Sequence, residues 1–319
     1  MDQVSIALLD DYQDCALACG PWERLAGRAQ VSVFGEHIDD DDELALALAP
    51  FDVVVLMRER TPLRRARLER LPRLRLLVTT GMSNAVVDVA AAHELGITVT
   101  GTPGGSTVAT AELTWGLLLA LARRICVEDR AIREGTWQTS VGVELAGRTL
   151  GLIGLGRLGS HVAGYGTAFG MEVIAWSENL DHARAQALGV TPVGKEELLA
   201  RADVVSVHTR LSERTRGLIA ARELALMKPS ALLVNTSRGP IVDERALARA
   251  LTDGAIAGAA LDVFDIEPLP RDHPLRFAPN TVLTPHLGYV AQDNYREFWG
   301  DVVEDIEAWL AGSPIRLLD

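Results

Sequence analysis

The sequence predicts an α/β protein made of two parallel-sheet units. Short apolar runs rich in β-branched residues recur along the chain, helical stretches separate them, and a glycine motif sits at a strand-to-helix turn. Strands buried on both faces read as continuous apolar runs, and their alternation with helices calls for a parallel sheet covered on both sides. At 319 residues the chain has room for about two domains of about 150 residues each.

The first run is Val4–Leu9, closed by Asp10 and Asp11. Val31–Phe34, Phe51–Met57, Leu74–Thr79 and Ile97–Thr100 follow as strands. Trp22–Ala26, Asp40–Leu48, Arg64–Leu71 and Asn84–Leu95 read as the helices between them. The cluster Gly101-Thr-Pro-Gly-Gly105 punctuates the chain. Thr107–Arg124 is a long, mostly apolar helix that needs cover on most sides, as a spine between units or as a subunit interface. A looser segment at Gly135-Thr-Trp137 leads to the second series. Its strands are Leu150–Ile153, Val173–Trp176, Val204–His208, Leu232–Asn235, Ala257–Leu261 and Val282–Leu283. Its helices are Gly156–Phe169, Asp181–Ala187 and Asp243–Leu251, and Asn294–Ala311 forms an amphipathic terminal helix stopped by Gly312 and Pro314.

Hydrophobic residues at 48% and charged residues at 23% exclude a disordered chain. A net charge of -12 argues against nucleic acid or an anionic membrane as partner. No basic start precedes the first apolar run, so no signal peptide is expected, and no charge-free stretch is long enough for a membrane span. Cys15, Cys19 and Cys126 make no disulfide framework or zinc set, and a reducing cytoplasm is the expected setting.

Gly154-Leu-Gly156-Arg-Leu-Gly159 fits the dinucleotide fingerprint. With 28 glycines in the chain the pattern alone is weak, but it follows an apolar strand, opens a helix and precedes a second strand. Gly154 makes the tight turn, Gly156 lets the backbone approach the pyrophosphate, and Gly159 lets helix and strand pack closely. Helix N–H groups then face the phosphates, with Arg157 beside them. An acid about 20 residues further on holds the ribose hydroxyls of NAD, whereas a basic residue there favours NADP. The chain reads Ser177-Glu178 there, with no basic residue until Arg184. NAD is favoured, and Ser177 leaves NADP open.

Three segments fall near strand ends: Asn235-Thr-Ser-Arg238-Gly239, Asp262-Val-Phe-Asp-Ile-Glu267-Pro268 and Thr284-Pro285-His286-Leu-Gly288. Ligands of open parallel sheets sit outside the carboxyl ends of the strands. Arginine grips a carboxylate with two parallel bonds, histidine moves a proton near neutral pH, and a neighbouring carboxylate favours the imidazolium. Arg238, Glu267 and His286 therefore form a candidate set for hydride chemistry on an alcohol beside a carboxylate. A hydrogen-bonded structural role for His286 stays open on the residues alone. The histidines His37, His93, His161, His182 and His273 lack ligand spacing, and no metal is expected.

Over essentially its full length the chain resembles the D-isomer-specific 2-hydroxyacid dehydrogenases. The resembling segments are LGLIGLGRLG, HTRLSERTRGLI, LMKPSALLVNTSRGPIVDE, GAALDVFDIEPLP and LTPHLGY, in that order. The resemblance implies a dinucleotide-binding domain, residues 102–289, inserted into a flavodoxin-like substrate domain, residues 1–101 and 290–319. It implies that Arg238 holds the substrate's carboxylate and keto oxygen, that His286 is the acid–base and that Glu267 keeps it basic. It sets Leu158, His208, Thr236 and Asp262 against the dinucleotide, Asp262 toward the nicotinamide carboxamide; a loop-capping aspartate is the plainer reading of Asp262. Arg58 and Arg60, and the loop Gly81-Met82-Ser83, face the substrate in that family, where the arginines suit a second anionic group. Met82 stands where an aromatic is often found. The expected activity is NAD(H)-dependent interconversion of a D-2-hydroxy acid and its 2-keto acid by a homodimer. The rival readings are an NADPH-dependent glyoxylate or hydroxypyruvate reductase and a dinucleotide-sensing corepressor.

Overall fold

A computed structural model describes residues 3–319. The chain divides into two units, residues up to Ser106 together with Ala291–Asp319, and Thr107–Val290.

The first unit is a parallel sheet of β1 (Val4–Leu8), β2 (Ala29–Val33), β3 (Val53–Leu56), β4 (Leu76–Thr79) and β5 (Thr98–Gly101). Its order, β2-β1-β3-β4-β5, is that of flavodoxin-like folds. Every residue of β3 and β4 is buried, which is why these segments read as unbroken apolar runs, whereas edge strand β2 is half-buried. Asp40 caps helix Asp41–Leu48 by accepting the N–H groups of Asp42 and Glu43. The helix expected over Asn84–Leu95 shortens to Val89–Glu94. Asn84 turns its side chain to the Arg58 carbonyl and the Thr79 hydroxyl, and Asp88 becomes the cap. Helix Gln292–Leu310 buries Phe298, Trp299, Val302, Val303 and Ile306 in this unit. The chain end then returns to β5, with the Leu318 N–H on the Val99 carbonyl at 3.0 Å.

The second unit holds β6 (Thr149–Ile153), β7 (Glu172–Trp176), β8 (Thr191–Pro192), β9 (Val204–Val207), β10 (Leu232–Asn235), β11 (Gly258–Leu261) and β12 (Thr281–Leu283). All run parallel in the order β12-β11-β10-β9-β6-β7-β8. The order reverses between β6 and β9, and such switch points are where open α/β sheets take their ligands. Helix Thr107–Ala122 buries Ala111, Trp115, Leu117, Leu118 and Leu121 in the same apolar cluster as Leu150 and Leu152 of β6. It stops short of the expected Arg124, which adopts a left-handed φ of 58° and precedes a separate helix, Ile125–Arg133. Among the described residues no helix is long and apolar enough to cross a membrane.

Candidate active site

At the switch point the glycine turn is shaped by close backbone approaches. Gly154 has φ +99°, and a Cβ there would lie 2.7 Å from the His208 carbonyl oxygen. A Cβ on Gly159 would collide with the Gly154 carbonyl. Gly156 differs: it is exposed at the N-cap of helix Arg157–Ala168, and a Cβ there would meet nothing within 4 Å. The first N–H groups of such a helix have no intrahelical partner and carry its positive dipole end. Open space in front of these donors, with the backbone pressed together behind them, fits a dinucleotide pyrophosphate. Arg157 is exposed and Leu158 half-buried on the first turn.

His208 follows β9 against this turn. Its Nε2 lies 2.9 Å from the Ser206 hydroxyl, and its Nδ1 is buried without a hydrogen-bond partner among the described residues. Burial pushes its pKa down to about 3, so the ring is neutral. Past β7, Ser177 is half-buried and Glu178 exposed. Arg184, distant in sequence, brings its guanidinium to 3.3 Å from the Ser160 hydroxyl on the first turns of the glycine-loop helix.

The three catalytic candidates leave adjacent strands. Asn235, Leu261 and Leu283 lie side by side in the register of β10, β11 and β12. Arg238 and His286 each follow three positions past that common level, on strands about 10 Å apart. Glu267 comes from the loop after the strand between them. His286 Nδ1 lies 2.6 Å from Glu267 Oε2, and Glu267 Oε1 accepts the Phe264 N–H at 2.8 Å. Arg238 donates from Nη1 to the Ser237 carbonyl at 2.8 Å, and its own carbonyl accepts from Asn235 Nδ2 at 3.0 Å. Gly239 packs on the Phe264–Asp265 peptide so tightly that any Cβ would collide with it. The arginine loop and the glutamate loop therefore rest on one another.

Asp262 is fully buried. It accepts the Thr284 hydroxyl at 2.6 Å, the Leu287 N–H at 2.7 Å and the Gly288 N–H at 2.8 Å. Its main-chain carbonyl takes the His286 N–H at 2.7 Å. Asp262 thus caps the histidine loop and holds His286 at a left-handed φ of 56°. A carboxylate has about four acceptor sites, so little of it is left for a ligand. The Thr236 hydroxyl is buried 2.7 Å from that of Thr114, turned into the long helix.

In the other unit, Arg58 and Gly81 lie just past β3 and β4. Arg58 has φ 55° and donates from Nη1 to the Thr80 carbonyl at 3.0 Å. Gly81 has φ +121° and donates to the Thr102 hydroxyl at 2.9 Å. Met82 and Ser83 are exposed. Arg60 donates to the Asp10 carbonyl, and its guanidinium stands 4.5 Å from the centre of the Tyr12 ring. Asn84, which sequence reading placed in a helix, is the residue that joins the Arg58 and Thr79 segments.

The family model for the D-isomer specific 2-hydroxyacid dehydrogenase NAD binding domain matches residues 115–288. The glyoxylate reductase of Aeropyrum pernix is 43% identical over 254 residues, 77% of this chain and 76% of that protein. The chain belongs to the D-isomer-specific 2-hydroxyacid dehydrogenase family. The crystal structure of a phosphoglycerate oxidoreductase from Vibrio cholerae aligns with a TM-score of 0.94 at 37% identity, covering 98% of this chain and 100% of that one. An acyclic imino acid reductase solved with NADPH and D-Arg aligns with a TM-score of 0.75 at 27% identity, over 99% of this chain and 100% of that one. As a member of this family the chain is an NAD(P)(H)-dependent oxidoreductase that interconverts 2-hydroxy acids and 2-keto acids.

Proposed function

We propose that this 2-hydroxyacid dehydrogenase works as a glyoxylate-type 2-ketoacid reductase that takes NADPH as well as NADH. The NAD-dependent reading favoured by Glu178 gives way to its rival on two grounds. A glyoxylate reductase is among its similar relatives. Arg184, whose guanidinium reaches the Ser160 hydroxyl on the glycine-loop helix, makes no ion pair among the described residues and suits a 2′-phosphate. Arg58 and Arg60 are already engaged within their own unit, which favours a small substrate without a distal anion.

The observation that carries the chemistry is the 2.6 Å contact between His286 Nδ1 and Glu267 Oε2. It orients the ring and leaves Nε2 for the reacting oxygen. Arg238 binds the substrate carboxylate and polarises the keto oxygen. When bound, the reduced nicotinamide supplies the hydride that reaches C2. His286 gives its proton to the alkoxide developing there, and oxidation runs in reverse. In this reading residues 102–289 bind the dinucleotide and carry Arg238, Glu267 and His286, and residues 1–101 and 290–319 form the substrate domain. Asp262 serves by holding the His286 loop.

Ile125, Val127, Ile132, Trp137 and Val141 are all exposed in one stretch, and a second copy of the chain fits this apolar row. The three free thiols suit a reducing cytoplasm.

Loss of absorbance at the reduced-nicotinamide band tests the proposal, with glyoxylate, hydroxypyruvate and longer 2-keto acids under each coenzyme. Turnover of the short acids with both coenzymes is expected. Inactivity with NADPH, or equal rates on a ketone lacking the carboxylate, would overturn it.

A further inference from the structure

Behind the loop that carries Glu267 lies a second acid–histidine pair that the chemistry above does not use. Glu244 is 7% exposed, at the first turn of helix Glu244–Thr252. Its Oε1 accepts the Asp265 N–H at 2.9 Å, and its Oε2 lies 3.2 Å from His273 Nε2. His273 is itself fixed, because its Nδ1 accepts the Leu275 N–H at 3.4 Å and caps the short turn Pro274–Arg276. An acid in a first helical turn needs no more than solvent and the helix dipole. Glu244 is instead buried and spends an oxygen on a peptide of another loop.

That peptide follows directly on the one that holds Glu267. The Phe264 N–H holds Glu267 Oε1, the Asp265 N–H holds Glu244 Oε1, and Gly239 next to Arg238 packs on the bond between them. Glu244 is surrounded by acids, namely Asp243 at the cap of its own helix and Asp265 and Glu267 on the loop. His273 answers them from the neighbouring turn, and Arg216 faces Asp265. Burial and these acids push Glu244 up to about 7. A groove of about 1140 Å³ is lined by Glu244, Asp265, Ile266 and His273 but by neither Glu267 nor His286. The pair therefore meets solvent on its own side of the loop.

We propose that Glu244, paired with His273, is a positioning residue for the reaction. It pins the Phe264–Asp265 peptide and thereby holds Glu267 against His286. The inference rests on the reading of Glu267 as the partner of the acid–base histidine.

The test is the pH profile of 2-ketoacid reduction, with Glu267→Gln as control. Glu244→Ala is expected to lower kcat about tenfold and to move the alkaline midpoint of kcat/KM down by roughly half a pH unit, as Glu267 loses its hold. Coenzyme affinity, read by fluorescence titration, stays within about twofold. Glu244→Gln keeps an oxygen for the Asp265 N–H and restores most of the rate. Should Glu244→Ala fail to fold, His273→Ala carries the test, with a smaller shift in the same direction. A merely structural role would lower the melting temperature and leave the midpoint in place, and that result overturns the proposal. If Glu267→Gln also leaves the midpoint unmoved, the reading of Glu267 has failed instead.

Discussion

Glu267 divides its two oxygens between different tasks: Oε2 holds His286 Nδ1 at 2.6 Å, and Oε1 takes the Phe264 N–H of its own loop at 2.8 Å. The carboxylate is thus aimed by the backbone before it aims the imidazole. Glu267→Gln removes the charge and keeps the shape. Reduction needs the protonated ring, so its alkaline midpoint should fall. Oxidation needs the neutral ring, so its acid limb should move down with it. Rate profiles in both directions check this, and an unmoved pair of limbs contradicts it.

Arg238 offers a planar fork that lysine lacks. Arg238→Lys should keep the charge yet reduce kcat/KM for glyoxylate about 100-fold, or about 2.7 kcal/mol. Coenzyme titration of the same variant should be unchanged. A loss shared equally by substrates without a carboxylate would count against the clamp.

The glycines of the turn should separate stability from binding. Gly159→Ala would drive a Cβ into the Gly154 carbonyl and should cost about 1–3 kcal/mol of stability. Gly156→Ala meets nothing within 4 Å of protein, and as an N-cap change it should cost at most about 1 kcal/mol. It should nonetheless weaken dinucleotide binding, because the open space is where the pyrophosphate approaches. Thermal unfolding and fluorescence titration of both variants check this; Gly156→Ala with full coenzyme affinity would contradict it.

Much of the fold was legible because the strands are buried on both faces. β3, β4, β9 and β10 show no exposed residue and no alternation. The two-residue edge strand β8 and the short helices Lys195–Arg201 and Ala221–Leu226 were not anticipated, since one or two turns leave no clear period. Helix Ile125–Arg133 was missed because nothing in its residues announces the left-handed Arg124 before it. In the site, the glycine turn and the strand-end loops were legible from order and spacing. The second layer was not. Glu244 looks like any first-turn acid, and His273 like an isolated histidine among prolines. Their pairing depends on a loop packing across another loop, which no local pattern encodes. His37 was hidden in the same way, with its ring nitrogens 2.9 Å and 3.0 Å from Asp10 and Asp39.

A pH-dependent stability term should come from Asp305. It is fully buried, and Arg316 Nε reaches one oxygen at 2.7 Å. Burial raises it from 3.8 to about 6. The folded state holds this proton more tightly than the unfolded one, so the stability contributed declines as pH rises from about 4 to about 6. Relative to wild type, Asp305→Asn should gain about 2–4 °C in melting temperature across that window. A pH-independent difference between the two proteins would contradict the assignment.

Proton transfer by His286 is tested most directly by His286→Ala, assayed for glyoxylate reduction and for coenzyme binding in one preparation. The kcat should fall about 10²–10⁴-fold while the coenzyme Kd stays within about twofold. Turnover near the wild-type rate at any pH would contradict it, because no proton donor paired to Glu267 would then be needed.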